Sequence, residues 1–179
     1  MLIALDFLEG YLKTFKPEID NKEEIMKKIV FYSIFLIIIA PILEEVLYRL
    51  PLKKYLSTSF TLFSLLIGVI YILIFDLLLI KIALAVYLAY IIYLSYSKKE
   101  IPNIFIVLSV FVFTISHIGN YNLLDVQSMS SLDLLFLFLP QLIFGIIVTF
   151  IRIKYSFKYA LLYHILYNSI IIILAINVD

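Results

Sequence analysis

Long runs of apolar residues, separated by short polar stretches, dominate the chain from residue 29 onward. Most runs are close to the roughly 20 residues that a membrane-spanning helix needs. The run over residues 60–96 is about twice that length, so we predict two helices that meet near residues 76–81. The predicted helical segments are Ile29–Leu50, the two halves of Phe60–Tyr96, Ile104–His117, Leu132–Ile151 and Tyr159–Asn177. The pattern therefore predicts an all-α, polytopic membrane helix bundle of about six spans.

Strands do not suit this pattern, because in lipid a continuous apolar segment must satisfy its backbone groups internally, as a helix does. The alternation expected of a membrane β-barrel is absent. Residues 1–28 differ from the rest in holding eleven charged residues, with leucines at near-helical spacing among them. We predict an amphipathic interfacial helix for 1–28 and a single membrane-embedded domain over 29–179.

The composition supports the membrane assignment. The 179 residues are 64% apolar and 15% charged, whereas soluble domains average about 45–50% and about 25%. This excludes a water-soluble monomer and a disordered chain. The expected partner is the lipid bilayer and not a nucleic acid, since the net charge is only +1. Abundant Ile and Lys without Trp suggest a prokaryotic cell membrane. No cysteine is present, which excludes thiolate nucleophiles and Cys-ligated metals.

Ionisable groups inside apolar spans are candidates for function, because inserting each one costs about 2.5–3.5 kcal/mol on insertion scales. Three stretches qualify: Glu44–Arg49, Phe113–His117 and His164–Asn168. A fourth pair, Asp76 with Lys81, is interpreted as an interfacial or turn feature.

Helical geometry separates the two adjacent glutamates. Glu45 and Arg49 are four residues apart and share a face, in the order that favours an ion pair. Glu44 is rotated by about 100° from Glu45. His164 and Asn168 also share a face. A glutamate, two histidines and an asparagine could then act on water or a carbonyl: glutamate as general base, and histidine and asparagine as oxyanion donors.

Each stretch alone has a structural alternative. Glu45 with Arg49 suits a structural ion pair, and His117 could cap a helix at the interface. His164 with Asn168 could form a hydrogen-bonded node between membrane helices. Their occurrence together is what favours a functional site.

In this order the three stretches resemble the CPBP family of membrane proteases (CAAX proteases and bacteriocin-processing enzymes, also called the Abi family). That family carries E-E-x-x-x-R, then F-x-x-x-H, then H-x-x-x-N. Here the motifs begin at Glu44, Phe113 and His164, and the resemblance spans residues 44–168. It implies an intramembrane endopeptidase acting on a hydrophobic or membrane-anchored peptide or protein.

The resemblance also implies a role for each residue. Glu44 and His117 would hold and activate the attacking water, with Glu44 as the base. His164 and Asn168 would stabilise the oxyanion. Arg49 would anchor Glu45, and Phe113 would shape the pocket beside His117.

Three alternatives remain at this point. Zinc could be held by Glu44, His117 and His164 with an open position for water; we favour the metal-free version, because H-E-x-x-H is absent and Asn168 is a poor zinc ligand. The chain could be a non-catalytic membrane scaffold or a bacteriocin-immunity protein that retains the fold. It could also be a transporter with a buried ion site.

Overall fold

The structure is a computed structural model that describes residues 30–52, 58–75, 77–120 and 129–176. Its helices, numbered in chain order, are α1 (Val30–Tyr48), α2 (Thr58–Ile74), α3 (Leu78–Ser97), α4 (Asn103–Ser116), α5 (Ser131–Lys154) and α6 (Phe157–Ile176). A 3-10 turn over His117–Asn120 continues α4. The predicted amphipathic helix at 1–28 and the predicted turn residue Asp76 lie outside the described residues.

The all-helical architecture is confirmed: every predicted apolar segment forms a helix, and the described ranges contain no strand. Four of the helices (α1, α3, α5 and α6) are long and apolar enough to cross a membrane. The other two, α2 with 17 residues and α4 with 14, are apolar but shorter than a typical span. The number of helices that cross the bilayer therefore stays a prediction.

Two helix boundaries refine the predicted positions. Helix α2 ends at Ile74 and α3 begins at Leu78, which places Lys81 in the first turn of α3. The start of α5 is set by a capping box: the Ser130 hydroxyl accepts from the Asp133 N–H, and the Asp133 carboxylate accepts from the Ser130 N–H. This reciprocal pair satisfies N–H groups that a helix start otherwise leaves unbonded.

The outer surface suits a lipid environment. Each helix exposes large apolar side chains, for example Leu73 at 76% and Leu78 at 70% relative accessibility. A water-soluble protein rarely exposes contiguous apolar surface on this scale. The helix lengths and this surface together support a membrane protein.

The chain divides into two compact units. The terminal unit contains the described residues up to Ile42 together with those from Leu162 onward. The central unit is Leu43–Leu161. Within the central unit, α2 packs on α3, α3 on α4, and α4 on α5.

An aromatic cluster forms the core of the central unit. Tyr87 and Phe105 are stacked with ring centroids 5.2 Å apart, and Phe113 meets Tyr48 edge to face at 5.5 Å. All four side chains are buried. Because this cluster joins α3 and α4 to the end of α1, it fixes the segment that carries the two glutamates.

One turn of α1 is a π-helix, over Phe35–Ile39, immediately before Pro41. The Ala40 N–H donates to the Phe35 carbonyl, five residues back. Proline explains the wider turn, since it has no N–H to continue the α-helical ladder and its ring clashes with the carbonyl four residues earlier. π-turns of this kind often lie near functional sites.

Candidate active site

Glu44 and His117 are brought together in the central unit, one near the end of α1 and the other at the end of α4. Oε2 of Glu44 lies 3.8 Å from Nε2 of His117. Both side chains are partly accessible, His117 at 19% and Glu44 at 16%. The structure thus places the predicted base beside the predicted water-binding histidine.

The imidazole of His117 is oriented by its own helix. Nδ1 lies 2.9 Å from the Phe113 carbonyl oxygen, and the His117 ring packs against the Phe113 ring with centroids 4.4 Å apart. A carbonyl can only accept, so Nδ1 carries the proton. In the neutral imidazole, Nε2 is then the acceptor, and this is the atom that faces Glu44.

Glu45 and Arg49 form a second pair that is fully buried. Nη1 of Arg49 lies 3.7 Å from Oε1 of Glu45, and neither side chain has exposed surface. The guanidinium lies over the Phe113 ring, 3.8 Å from its centroid. A buried charge must be compensated, and here the opposite charge and the aromatic face both contribute. The neighbouring glutamates therefore occupy different environments, as helical spacing predicted.

Gly145 lets α5 approach this pair closely. A Cβ atom at this position would lie 3.0 Å from Cδ1 of Phe113 and 3.5 Å from Nη2 of Arg49. The absence of a side chain at Gly145 thus allows the helix to pack against the Arg49–Phe113 stack.

Side chains from three other helices hold the carbonyl groups at the end of α1. Ser64 of α2 donates to the Val46 carbonyl at 2.8 Å, and Ser109 of α4 donates to the Tyr48 carbonyl at 2.6 Å. Arg152 of α5 donates through Nε to the Arg49 carbonyl at 2.8 Å. The last carbonyls of a helix have no intrahelical donor, and these side chains supply one. The Tyr48 carbonyl also accepts from the Tyr87 hydroxyl, and the Arg49 carbonyl also accepts from the Leu52 N–H.

Sequence reasoning did not identify these three donors. Ser64 and Ser109 are polar residues inside apolar runs, and such residues often form hydrogen bonds between membrane helices. That pattern could have identified them. Arg152 carried no such signal, because a basic residue near a helix end is also expected at the membrane surface.

The third predicted stretch lies on α6, in the terminal unit. His164 is buried, at 2% accessibility. Asn168 is half-buried, and its Nδ2 donates to the Leu36 carbonyl of α1 at 2.9 Å. The expected oxyanion role of both residues stays a prediction, and an Asn168 amide N–H already has a backbone acceptor.

A catalytic zinc site normally needs three protein ligands and an open position. In the part of the chain that the structure describes, no group of three or more His, Asp or Glu side chains could hold a metal ion. The zinc alternative takes Glu44 and His117 from the central unit and His164 from the terminal unit, and it stays a prediction. The steps proposed below use protein groups and water.

Comparisons with protein-family models, with curated proteins and with solved structures found no match for this chain.

Proposed function

We propose that the protein is an intramembrane endopeptidase that hydrolyses a peptide bond of a membrane-associated or hydrophobic peptide. The observation that carries the proposal is the pair formed by Glu44 and His117. Both side chains are partly accessible, and the Oε2 atom of Glu44 that faces His117 is buried. Beside them, the charges of Glu45 and Arg49 are buried against each other. The motif resemblance supplies the reaction class, and the geometry of the pair supplies the way in which water is activated.

The separation of the pair suits a shared water molecule. At 3.8 Å, Oε2 of Glu44 and Nε2 of His117 are too far apart for a direct hydrogen bond, which spans roughly 2.7–3.2 Å. Both atoms are acceptors when the imidazole is neutral, so one water can donate one O–H to each of them. This leaves a lone pair of the water oxygen to attack a carbonyl carbon.

The reaction then follows as general acid–base hydrolysis. Glu44 takes a proton from the water as its oxygen bonds to the peptide carbon, and a tetrahedral oxyanion forms. When the C–N bond breaks, the proton on Glu44 passes to the departing amine. Because the nucleophile is water, no covalent acyl-enzyme is formed. His117, held by the Phe113 carbonyl, orients the water throughout.

The oxyanion needs donors, and the resemblance assigns that role to His164 and Asn168. An imidazole N–H or an amide N–H can stabilise such a charge, and the effect is largest where water is excluded. The low accessibility of His164 is compatible with that role.

The experiment is a cleavage assay with the purified protein and a panel of hydrophobic and lipid-anchored peptides. Wild type is compared with Glu44→Ala and His164→Ala, and with Glu100→Ala as a control that removes an exposed carboxylate. The proposal expects cleavage by wild type and by the control, and loss of cleavage in the two site variants. If wild type cleaves no peptide, or the site variants cleave as fast, the protease proposal fails. The non-catalytic scaffold or immunity protein would then be preferred.

A further inference from the structure

The Leu36 carbonyl of α1 is bonded to a side chain of another helix, although it lies inside a helical turn. Nδ2 of Asn168 in α6 donates to it at 2.9 Å. Both residues belong to the terminal unit. A carbonyl in a helix interior normally takes the N–H four residues later, so this bond needs a reason.

The π-turn and Pro41 together deprive Leu36 of its backbone donors. In a regular α-helix its carbonyl would accept from the Ala40 N–H, but that N–H donates to Phe35. A continued π-helix would use the N–H of residue 41, and Pro41 has none. An apolar environment makes an unsatisfied carbonyl costly, and the Asn168 amide meets that need.

We propose that Asn168 stabilises the π-turn of α1, because its amide supplies the donor that Pro41 cannot give to the Leu36 carbonyl. All three residues lie in the terminal unit. The proposal goes beyond the proposed function and does not depend on it.

This role differs from a direct role in stabilising the oxyanion. A donor to the oxyanion would act independently of Pro41. A donor to the Leu36 carbonyl is needed only while residue 41 lacks an N–H. With alanine at position 41, a backbone N–H can serve Leu36 either from Ala40, in an α-turn, or from residue 41, in a longer π-helix.

The test is a double-mutant cycle on thermal stability in detergent or lipid, with Asn168→Leu, Pro41→Ala and the double variant. Leucine resembles asparagine in shape and removes the donor. We expect Asn168→Leu to lower the Tm by roughly 3–6 °C in the wild-type background, and by less than half of that loss in the Pro41→Ala background. The control is Ser169→Ala, because Ser169 bonds to Ile165 within its own helix at 2.7 Å. Its effect should be the same in both backgrounds.

Equal losses from Asn168→Leu in the two backgrounds would overturn the proposal. If Asn168→Leu alone does not yield folded protein, Pro41→Ala should restore its yield, and failure of that rescue would also overturn it.

Pro41→Ala alone should keep or raise the Tm, because proline disfavours a helix interior and residue 41 then has a backbone N–H. A clear loss of Tm in Pro41→Ala would contradict the role given to Pro41. The absence of cleavage by wild type would contradict the proposed function, and the stability cycle would keep its outcome.

Discussion

Oε2 of Glu44 and Nε2 of His117 lie 3.8 Å apart, at the ends of two helices that are distant in sequence. Their separation is set by groups of the central unit that take no part in the proposed chemistry. The Phe113 carbonyl holds the imidazole, and hydrogen bonds from Ser64, Ser109 and Arg152 hold the end of α1. The pair is therefore a property of the packed central unit.

The Glu45–Arg49 pair is predicted to be structural. The loss of stability on removing one charge should therefore depend on whether the other charge is present. Glu45→Leu leaves the Arg49 guanidinium buried without its counter-charge, which should lower the free energy of unfolding by about 3–5 kcal/mol. Glu45→Leu with Arg49→Met removes both charges and should recover most of that loss. Chemical or thermal unfolding in detergent measures Glu45→Leu, Arg49→Met and the double variant. If the double variant loses as much unfolding free energy as the two single variants lose together, this account is contradicted.

Gly68 is predicted to be required for the close packing of α2 on α3. A Cβ atom at this position would lie 2.5 Å from Cδ2 of Leu88, so Gly68→Ala forces Leu88 to move. We expect Gly68→Ala to cost about 1–3 kcal/mol of unfolding free energy, measured by thermal unfolding.

The matched variant is Leu88→Ala. On its own it should lower the unfolding free energy by about 2–5 kcal/mol, because it leaves a cavity. In combination the two changes should cost less than their sum, because the new methyl group enters that cavity. Strict additivity would show that the two residues are not in contact.

Local spacing predicted part of the site and missed the part that depends on packing. The four-residue interval between Glu45 and Arg49 predicted their pairing, and the structure places them together. Nothing in helical periodicity could predict that Glu44 would meet His117, since this depends on how α1 and α4 pack. Their occurrence as polar groups in apolar spans suggested a shared site, and the motif resemblance gave each of them a role in it.

Helix positions were predictable from hydrophobic runs, but their details depended on single polar residues. The run starting at Leu132 placed α5 within one residue, whereas the capping pair Ser130 and Asp133 set its actual start. Pro41 was visible in the sequence, yet the π-turn before it was not predicted. The Leu36 carbonyl in that turn accepts from Asn168 of α6, and the sequence pattern does not specify how α6 packs.

Metal chelation should leave the proposed activity unchanged. The proposed steps use protein groups and water alone, with Glu44 as the base. Purified protein treated with EDTA or 1,10-phenanthroline should cleave its substrate at the untreated rate. Elemental analysis should find no stoichiometric zinc. Loss of cleavage that added zinc restores would instead support the metal alternative.

The cleavage rate of a Glu44 and His117 mutant cycle tests the central claim most directly. If the two side chains activate one water molecule, Glu44→Gln and His117→Gln should each reduce the rate by roughly 10²–10⁴-fold. A cooperative unfolding transition for each variant would confirm that it is folded. The double variant should then be within a few-fold of the slower single variant, because residues that act as a unit are strongly non-additive. Near-wild-type cleavage by either single variant, or losses that multiply in the double variant, would contradict the claim.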